Sequence, residues 1–199
     1  MNEATPSQKK EKKIILDLCG GTGSWSKPYK DAGYDVRVIT LPLFDVTDPY
    51  VLEQCVALKP YGILAAPPCT EFSLAKTTAP RDFEKGMETI KACMEIVWGI
   101  QKVLKLNFWA LENPRGLLRR FLGNPPYHFY QWYFGDCDRN KPTDLWGRFK
   151  EPKRKHLIKP DYVQKSAHNK NADWFSNSSA KVRAITPPGF AQAFFKANQ

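Results

Sequence analysis

The chain has 199 residues, enough for one medium-sized domain with a real core and too few for a second independent one. Its net charge of +10 at pH 7 would draw in a polyanion, nucleic acid foremost. No apolar stretch approaches the roughly 20 residues of a membrane span; the five cysteines include no CxxC pair, and the three histidines lack zinc-ligand spacing to them, so reduced thiols and no metal are expected.

Residues 1–13 read as a polar, lysine-rich, flexible tail and not as a signal peptide, which predicts a cytoplasmic protein. From there short apolar runs alternate with helical patterns, the mark of βαβ units and of an α/β, doubly wound, mostly parallel sheet. Ile14 to Leu18 predicts the first strand, Ser24 to Ala32 a helix, and Val36 to Ile39 a second strand. Asp48 is placed to cap a helix with Pro49 at its first position, ending near Leu58. Gly62 to Ala66 is a buried strand. Phe83, Met87, Ile90, Met94, Val97 and Leu104 recur mostly at three- or four-residue steps, a long amphipathic helix whose two methionines are core packing. Trp109 to Leu111 predicts the next strand, Phe129 to Phe134 and Leu145 to Phe149 later ones, and Pro187 and Pro188 open a last helix reaching about Ala197. Residues 150–181, rich in Lys, Asn and Ser with little apolar periodicity, read as a short basic loop region or small clamp.

Three loops carry chemistry. After the first strand, Gly20-Gly21-Thr22-Gly23 lets backbone approach a ligand closely where a helix start offers free N–H groups, at the first crossover of a doubly wound sheet. That loop alone leaves NAD, phosphate and methionine-derived ligands open. After the buried strand, Pro67-Pro68-Cys69-Thr70 brackets a thiol with two residues of fixed φ, so a stiff backbone aims the sulfur. After the fourth predicted strand, Glu112-Asn113-Pro114 puts a carboxyl at the mouth of an apolar run, where burial raises a pKa.

In this order the three segments, Asp17-Leu18-Cys19-Gly20-Gly21-Thr22-Gly23-Ser24-Trp25, Pro67-Pro68-Cys69 and Glu112-Asn113, resemble the ordered motifs of the S-adenosylmethionine-dependent cytosine-5 DNA methyltransferases. The resemblance spans roughly residues 14–148 and resumes at 182–198, where Arg183-Ala184-Ile185-Thr186-Pro187-Pro188-Gly189-Phe190-Ala191 is similar to the family's closing motif. It implies a Rossmann-like catalytic domain over residues 14–199, of the compact kind carried by some phages. By resemblance Asp17, Cys19, Gly21, Gly23, Ser24, Trp25, Asp45, Pro67 and Asn198 would hold S-adenosylmethionine, Cys69 would be the nucleophile and Glu112 the acid. Ser73, Asn113 and one of Arg139, Lys141 or Arg148 would face the substrate.

The chain also departs from the family. Cys19 stands where phenylalanine is usual, Pro114 where valine is usual, and Val38-Ile39-Thr40-Leu41-Pro42 lacks the acid that normally closes the second strand. Asn140-Lys141-Pro142-Thr143-Asp144 occupies the arginine motif without its paired arginines. The stretch from 150 to 181 is too short for a full target-recognition region, so DNA recognition of low or short specificity is expected. Lys150, Lys153, Arg154, Lys155 and Lys159, with Arg119 and Arg120, would contact phosphates. A protein partner supplying specificity has no sequence support. Methylation of a free cytosine nucleotide, or a catalytically weak S-adenosylmethionine- or DNA-binding protein, are the alternatives.

Overall fold

A computed structural model describes residues 12–135, 140–163 and 184–199. Strands β1 (Ile14–Leu18), β2 (Asp35–Ile39), β3 (Gly62–Ala65), β4 (Phe108–Pro114), β5 (Tyr127–Tyr130) and β6 (Pro142–Arg148) form one sheet in the order β2-β1-β3-β4-β6-β5. The first four in that order run parallel; β6 is antiparallel to both β4 and β5. This is the mostly parallel, Rossmann-like α/β fold that the alternation of apolar runs and helical patterns predicts.

The period-2 alternation of each strand divides the core between two faces. Leu16, Leu18, Ile63 and Ala65 face one side, against helices α2 (Pro49–Ala57) and α3 (Phe83–Val103) through Val51, Cys55, Ile90, Cys93 and Ile96. Ile15, Leu64, Phe108 and Ala110 face the other, against α1 (Lys27–Asp31) and the last helix through Trp25, Tyr29, Phe190 and Phe194. Asp48 caps α2 by accepting from the Tyr50 N–H at 2.9 Å, and Asp82 caps α3 by accepting from the Lys85 N–H at 2.9 Å. A short helix, α4 (Arg119–Leu122), which the sequence pattern does not reveal, follows β4, and α5 (Pro188–Asn198) ends the chain.

The strand expected over Phe129 to Phe134 is instead divided. β5 ends at Tyr130, and Gln131–Phe134 form a 3₁₀ turn closed by Gly135 at φ 98°. Past the Tyr130–Pro142 pair the Gln131 N–H still donates to Lys141 O at 3.2 Å, and the aromatic run then turns inward and buries Trp132 and Phe134.

Phe194 is fully buried and meets Trp25 and Phe108 edge to face, while Trp98 is 52% exposed on α3. Phe194→Ala should therefore cost about 3–5 kcal/mol in urea unfolding, and Trp98→Ala less than about 0.5 kcal/mol. Equal effects would place the core elsewhere.

Candidate active site

The loop leaving β1 is shaped by close approach. Gly20 lies directly over the Asp17 carboxyl: a Cβ there would sit 2.4 Å from Asp17 Cγ, so no larger residue fits without displacing the acid. Gly21 and Gly23 hold φ of 54° and 69°, and Cys19 takes φ 55° while its N–H donates to Ile39 O at 2.8 Å. Asp17 is fully buried. Ser26 Oγ donates to its Oδ2 at 2.5 Å, and its Oδ1 has no hydrogen-bond partner among the described residues. Burial, opposed by the bonds to Ser26, pushes its pKa up to about 6. Trp25 Nε1 is a buried donor likewise without a partner among the described residues. The Cys19 sulfur lies 4.0 Å from that of Cys93, which is buried on α3.

The loop after β3 is braced at both ends. Asn113, buried on β4, donates from Nδ2 to Pro67 O at 3.1 Å, which ties the Pro-Pro-Cys turn to the neighbouring strand. Cys69 O accepts from the N–H groups of Phe72 and Ser73 at 3.0 and 2.8 Å. Phe72 is fully buried between Phe83 and Phe121, and its carbonyl accepts from Leu117 N at 2.9 Å, an approach that requires Gly116. Arg81 closes the loop by donating to the carbonyls of Glu71, Ser73 and Lys76 at 2.7–2.9 Å. The sequence gives little sign of this clamp, because an arginine before the Asp82 cap reads as a solvated charge.

β4 outruns β3, and Glu112 lies in the extension, opposite Leu145 of β6. Burial holds its carboxyl above the usual range; Lys141 opposes this and Asp144 adds to it. Asp144 is fully buried and takes a bidentate grip from Arg119, with Nε and one Nη at 2.7 and 2.6 Å. This pair ties α4 to β6.

One cleft of about 400 Å³ gathers these loops. Asp17, Cys19, Gly21, Ser24, Trp25, Pro67, Cys69, Glu112 and Lys141 all line it, as do Gly20, Thr22 and, as a far wall, Ala184 to Thr186. Thr186 N donates to Ser24 Oγ at 3.0 Å, fixing that wall to the glycine loop. Other predicted site residues lie apart from its lining. Gly23 supports the loop from behind, with Val38 and Ser26 nearest. Asp45 is exposed and accepts from Thr47 N and Oγ1. Ser73 Oγ accepts from Ala75 N. Asn198 is buried at the end of α5, where its side chain bonds both Lys150 N and Lys150 O. Arg148 pairs with Trp109 at the opposite end of β4 and donates to Leu106 O. Arg139 lies outside the described residues, as do most of the tail and residues 164–183 of the basic region.

No protein-family model and no curated protein matches the chain. Among solved structures it is similar to EhMeth, a methyltransferase of Entamoeba histolytica, at 11% identity over 79% of this chain and 58% of that one, with a TM-score of 0.42. It is also similar to a DNMT2 mutant of Spodoptera frugiperda, at 16% identity over 77% and 54%, with a TM-score of 0.35. The chain spans just over half the length of these two proteins. Among the described residues no helix is long and apolar enough to cross a membrane, and no group of three His, Cys, Asp or Glu side chains could hold a metal ion.

Asp17 gives a pH test of this geometry. Its folded-state pKa of about 6 exceeds the value near 4 of an unfolded chain, so stability falls as pH rises between the two and stays lower above. Asp17→Asn should be more stable than the parent at pH 7 by on the order of 2–3 kcal/mol, and the gap should close near pH 4. Denaturant titrations at both pH values measure it; a gap that is constant with pH would mean the carboxyl is not desolvated.

Proposed function

We propose that the chain is an S-adenosylmethionine-dependent methyltransferase acting on carbon 5 of cytosine in DNA through a covalent bond to Cys69. The observation that carries this reading is the meeting, on one cleft, of a thiol on a proline-braced loop, a desolvated carboxyl and a glycine loop with an orphaned acceptor and donor.

The residues present fit the cofactor. Asp17 Oδ1 and Trp25 Nε1 are an acceptor and a donor without partners among the described residues, suited to the ammonium and carboxylate of a methionine end, and Gly20 keeps the loop free of a side chain above Asp17. Bound there, S-adenosylmethionine supplies an electrophilic sulfonium methyl group. The rest falls to side chains of the chain itself. Cys69 thiolate adds to carbon 6 of the ring, and the electron pair of the 5,6 double bond is released toward carbon 5, making that carbon nucleophilic. The same addition raises electron density at nitrogen 3, where Glu112, held protonated more readily by its burial, donates its proton. Once carbon 5 carries the methyl group, whose bond to the sulfonium sulfur breaks to leave S-adenosylhomocysteine, loss of the carbon 5 proton to solvent would expel Cys69 and restore the ring, and nitrogen 3 would return its proton to Glu112. Lys141, on the cleft beside Glu112, is the cation assigned to the cytosine carbonyl in place of the family's arginine. Asn113 acts through Pro67, as a positioning residue for the Cys69 turn.

The test is transfer of labelled methyl groups to duplex DNA, single-stranded DNA, and dCMP or dCTP, each followed by digestion. The expected product is 5-methylcytosine nucleoside from DNA. Product from mononucleotide alone would move the activity to nucleotide metabolism, and none anywhere with cofactor bound would leave a binding protein. Glu112→Gln should lower kcat by at least ~100-fold with cofactor affinity nearly unchanged. A variant as fast as the parent would remove Glu112 from the chemistry.

A further inference from the structure

A second concavity, of about 610 Å³, lies along α5, the helix that follows Ala184 to Thr186 of the active-site cleft wall in sequence. Its floor is one face of α5: Gly189, Gln192, Ala193, Lys196 and Ala197 recur at three- and four-residue steps. Three of these five are glycine or alanine, which leaves room for another chain to lie close. The facing wall is the segment Glu151 to Lys155, so that Lys153, Arg154, Lys155 and Lys196 surround the groove against a single carboxylate, Glu151.

This wall is built into the fold and is not merely a solvated charge run. The N–H groups of Lys155 and His156 both donate to Tyr133 O, at 2.8 and 2.9 Å, and the Arg154 guanidinium rests over the Tyr133 ring at 4.3 Å. The Lys155 stem packs on Gly135, where a Cβ would come within 2.5 Å of it. Lys153, Lys155 and Lys196 form no ion pair among the described residues. They are exposed cations around a groove with room for a polyanion, Lys155 being fixed through its backbone to Tyr133 and its stem to Gly135.

The direction of α5 decides which polyanion. Its N-terminal end adjoins Thr186, in the cleft wall; its C-terminal end is pinned by Asn198 to Lys150, just beyond Arg148 and the start of β4. The helix that floors the groove therefore leads from the cleft wall down one face of the sheet toward the opposite edge. A duplex presenting a base to the cleft would have to turn sharply to follow it, and bending DNA within so few base pairs costs several kcal/mol. A single strand turns freely. From Gly189 to Ala197 the groove is about 12 Å long, room for roughly three nucleotides at the ~3.4 Å spacing of a stacked strand.

We infer that this groove binds the phosphodiester backbone of a single strand on one side of the reacting cytosine, so that single-stranded DNA is the preferred substrate. The inference rests on the proposed methyltransferase reading and names its substrate class. Lys153, Lys155 and Lys196 supply phosphate contacts that carry no base information, in keeping with low sequence specificity.

The test uses the full chain saturated with S-adenosylhomocysteine and labelled single-stranded oligonucleotides bearing one cytosine, extended by four nucleotides on its 5′ or its 3′ side. In anisotropy titrations, extension on one side only should tighten binding. Combined Lys153→Glu, Lys155→Glu and Lys196→Glu should remove that gain, weaken the extended strand by about tenfold or more and flatten the salt dependence by about two log units per decade, the loss expected for three phosphate contacts. The glutamine versions should do so partially, with thermal melts and cofactor affinity unchanged. Equal tightening from both sides, a duplex bound as tightly with the same lysine dependence, polyglutamate displacing the strand equally well, or variants that bind as the parent does would each overturn the groove assignment. Methyl transfer to the unextended oligonucleotide is measured alongside. Transfer with lysine-independent binding removes the groove and keeps the enzyme, whereas lysine-dependent one-sided binding without transfer removes the enzyme and keeps the groove.

Discussion

Parallel strands cannot be joined by a tight turn; each needs a crossover, so the loops that leave them all emerge at one edge of the sheet. Here β1, β3 and β4 are neighbours in register, with Ile15 beside Gly62 and Gly62 beside Phe108. That pairing brings the glycine loop, the Cys69 turn and Glu112 together although almost a hundred residues separate the first from the last. It is maintained by burial on both faces: α2 and α3 on one, α1 and α5 on the other. Everything specific to the cleft depends on these three strands ending side by side.

The same edge is where the fold departs from full satisfaction of its polar groups. Asp17 and Asp144 are fully buried and Glu112 is partly buried on the cleft, and each is handled differently. Asp144 is neutralised by Arg119 in a bidentate pair. Glu112 has Lys141 near it but not enough charge to offset burial, so it keeps its proton more readily. Asp17 has one oxygen engaged by Ser26 and one left without a partner among the described residues. The Asp17 oxygen and the Trp25 Nε1 donor both belong to residues that line the cleft, where a ligand can complete them.

The strands and most helices were legible because each is a short apolar run or an amphipathic period bounded by Gly, Pro or Asp, and tertiary packing did not override those signals. The divided aromatic segment after Phe129 was not, since strand propensity is high there, and the turn that ends at Gly135 draws Trp132 and Phe134 into a core contact that no local pattern shows. Within the site, Asp17, Cys69 and Glu112 each sit at or just after the end of a neighbouring parallel strand, and the structure brings all three to one cleft. Some residues assigned by position in a distant motif lie apart from that cleft. Arg148 is set by the antiparallel register of β6, which carries it to the far end of β4, and Asn198 is consumed by the Lys150 backbone. Arg81 and the Arg119–Asp144 pair were invisible because Arg81 acts on the carbonyls of its own loop and Arg119 reaches from α4 to β6, and a lone basic residue has no period to reveal either contact.

The central claim is that Cys69 forms a covalent bond to carbon 6 of cytosine while the ring is methylated. A single-stranded oligonucleotide carrying one 5-fluorocytosine, incubated with the protein and S-adenosylmethionine, tests it most directly, because fluorine at carbon 5 cannot leave as a proton and blocks release of the thiol. The account predicts a denaturation-resistant adduct with the mass of protein, oligonucleotide and one methyl group, mapped by proteolysis to the peptide holding Cys69 and absent from Cys69→Ser. An adduct that persists in Cys69→Ser, or methyl transfer to ordinary cytosine with no adduct to the fluorinated base, would contradict it.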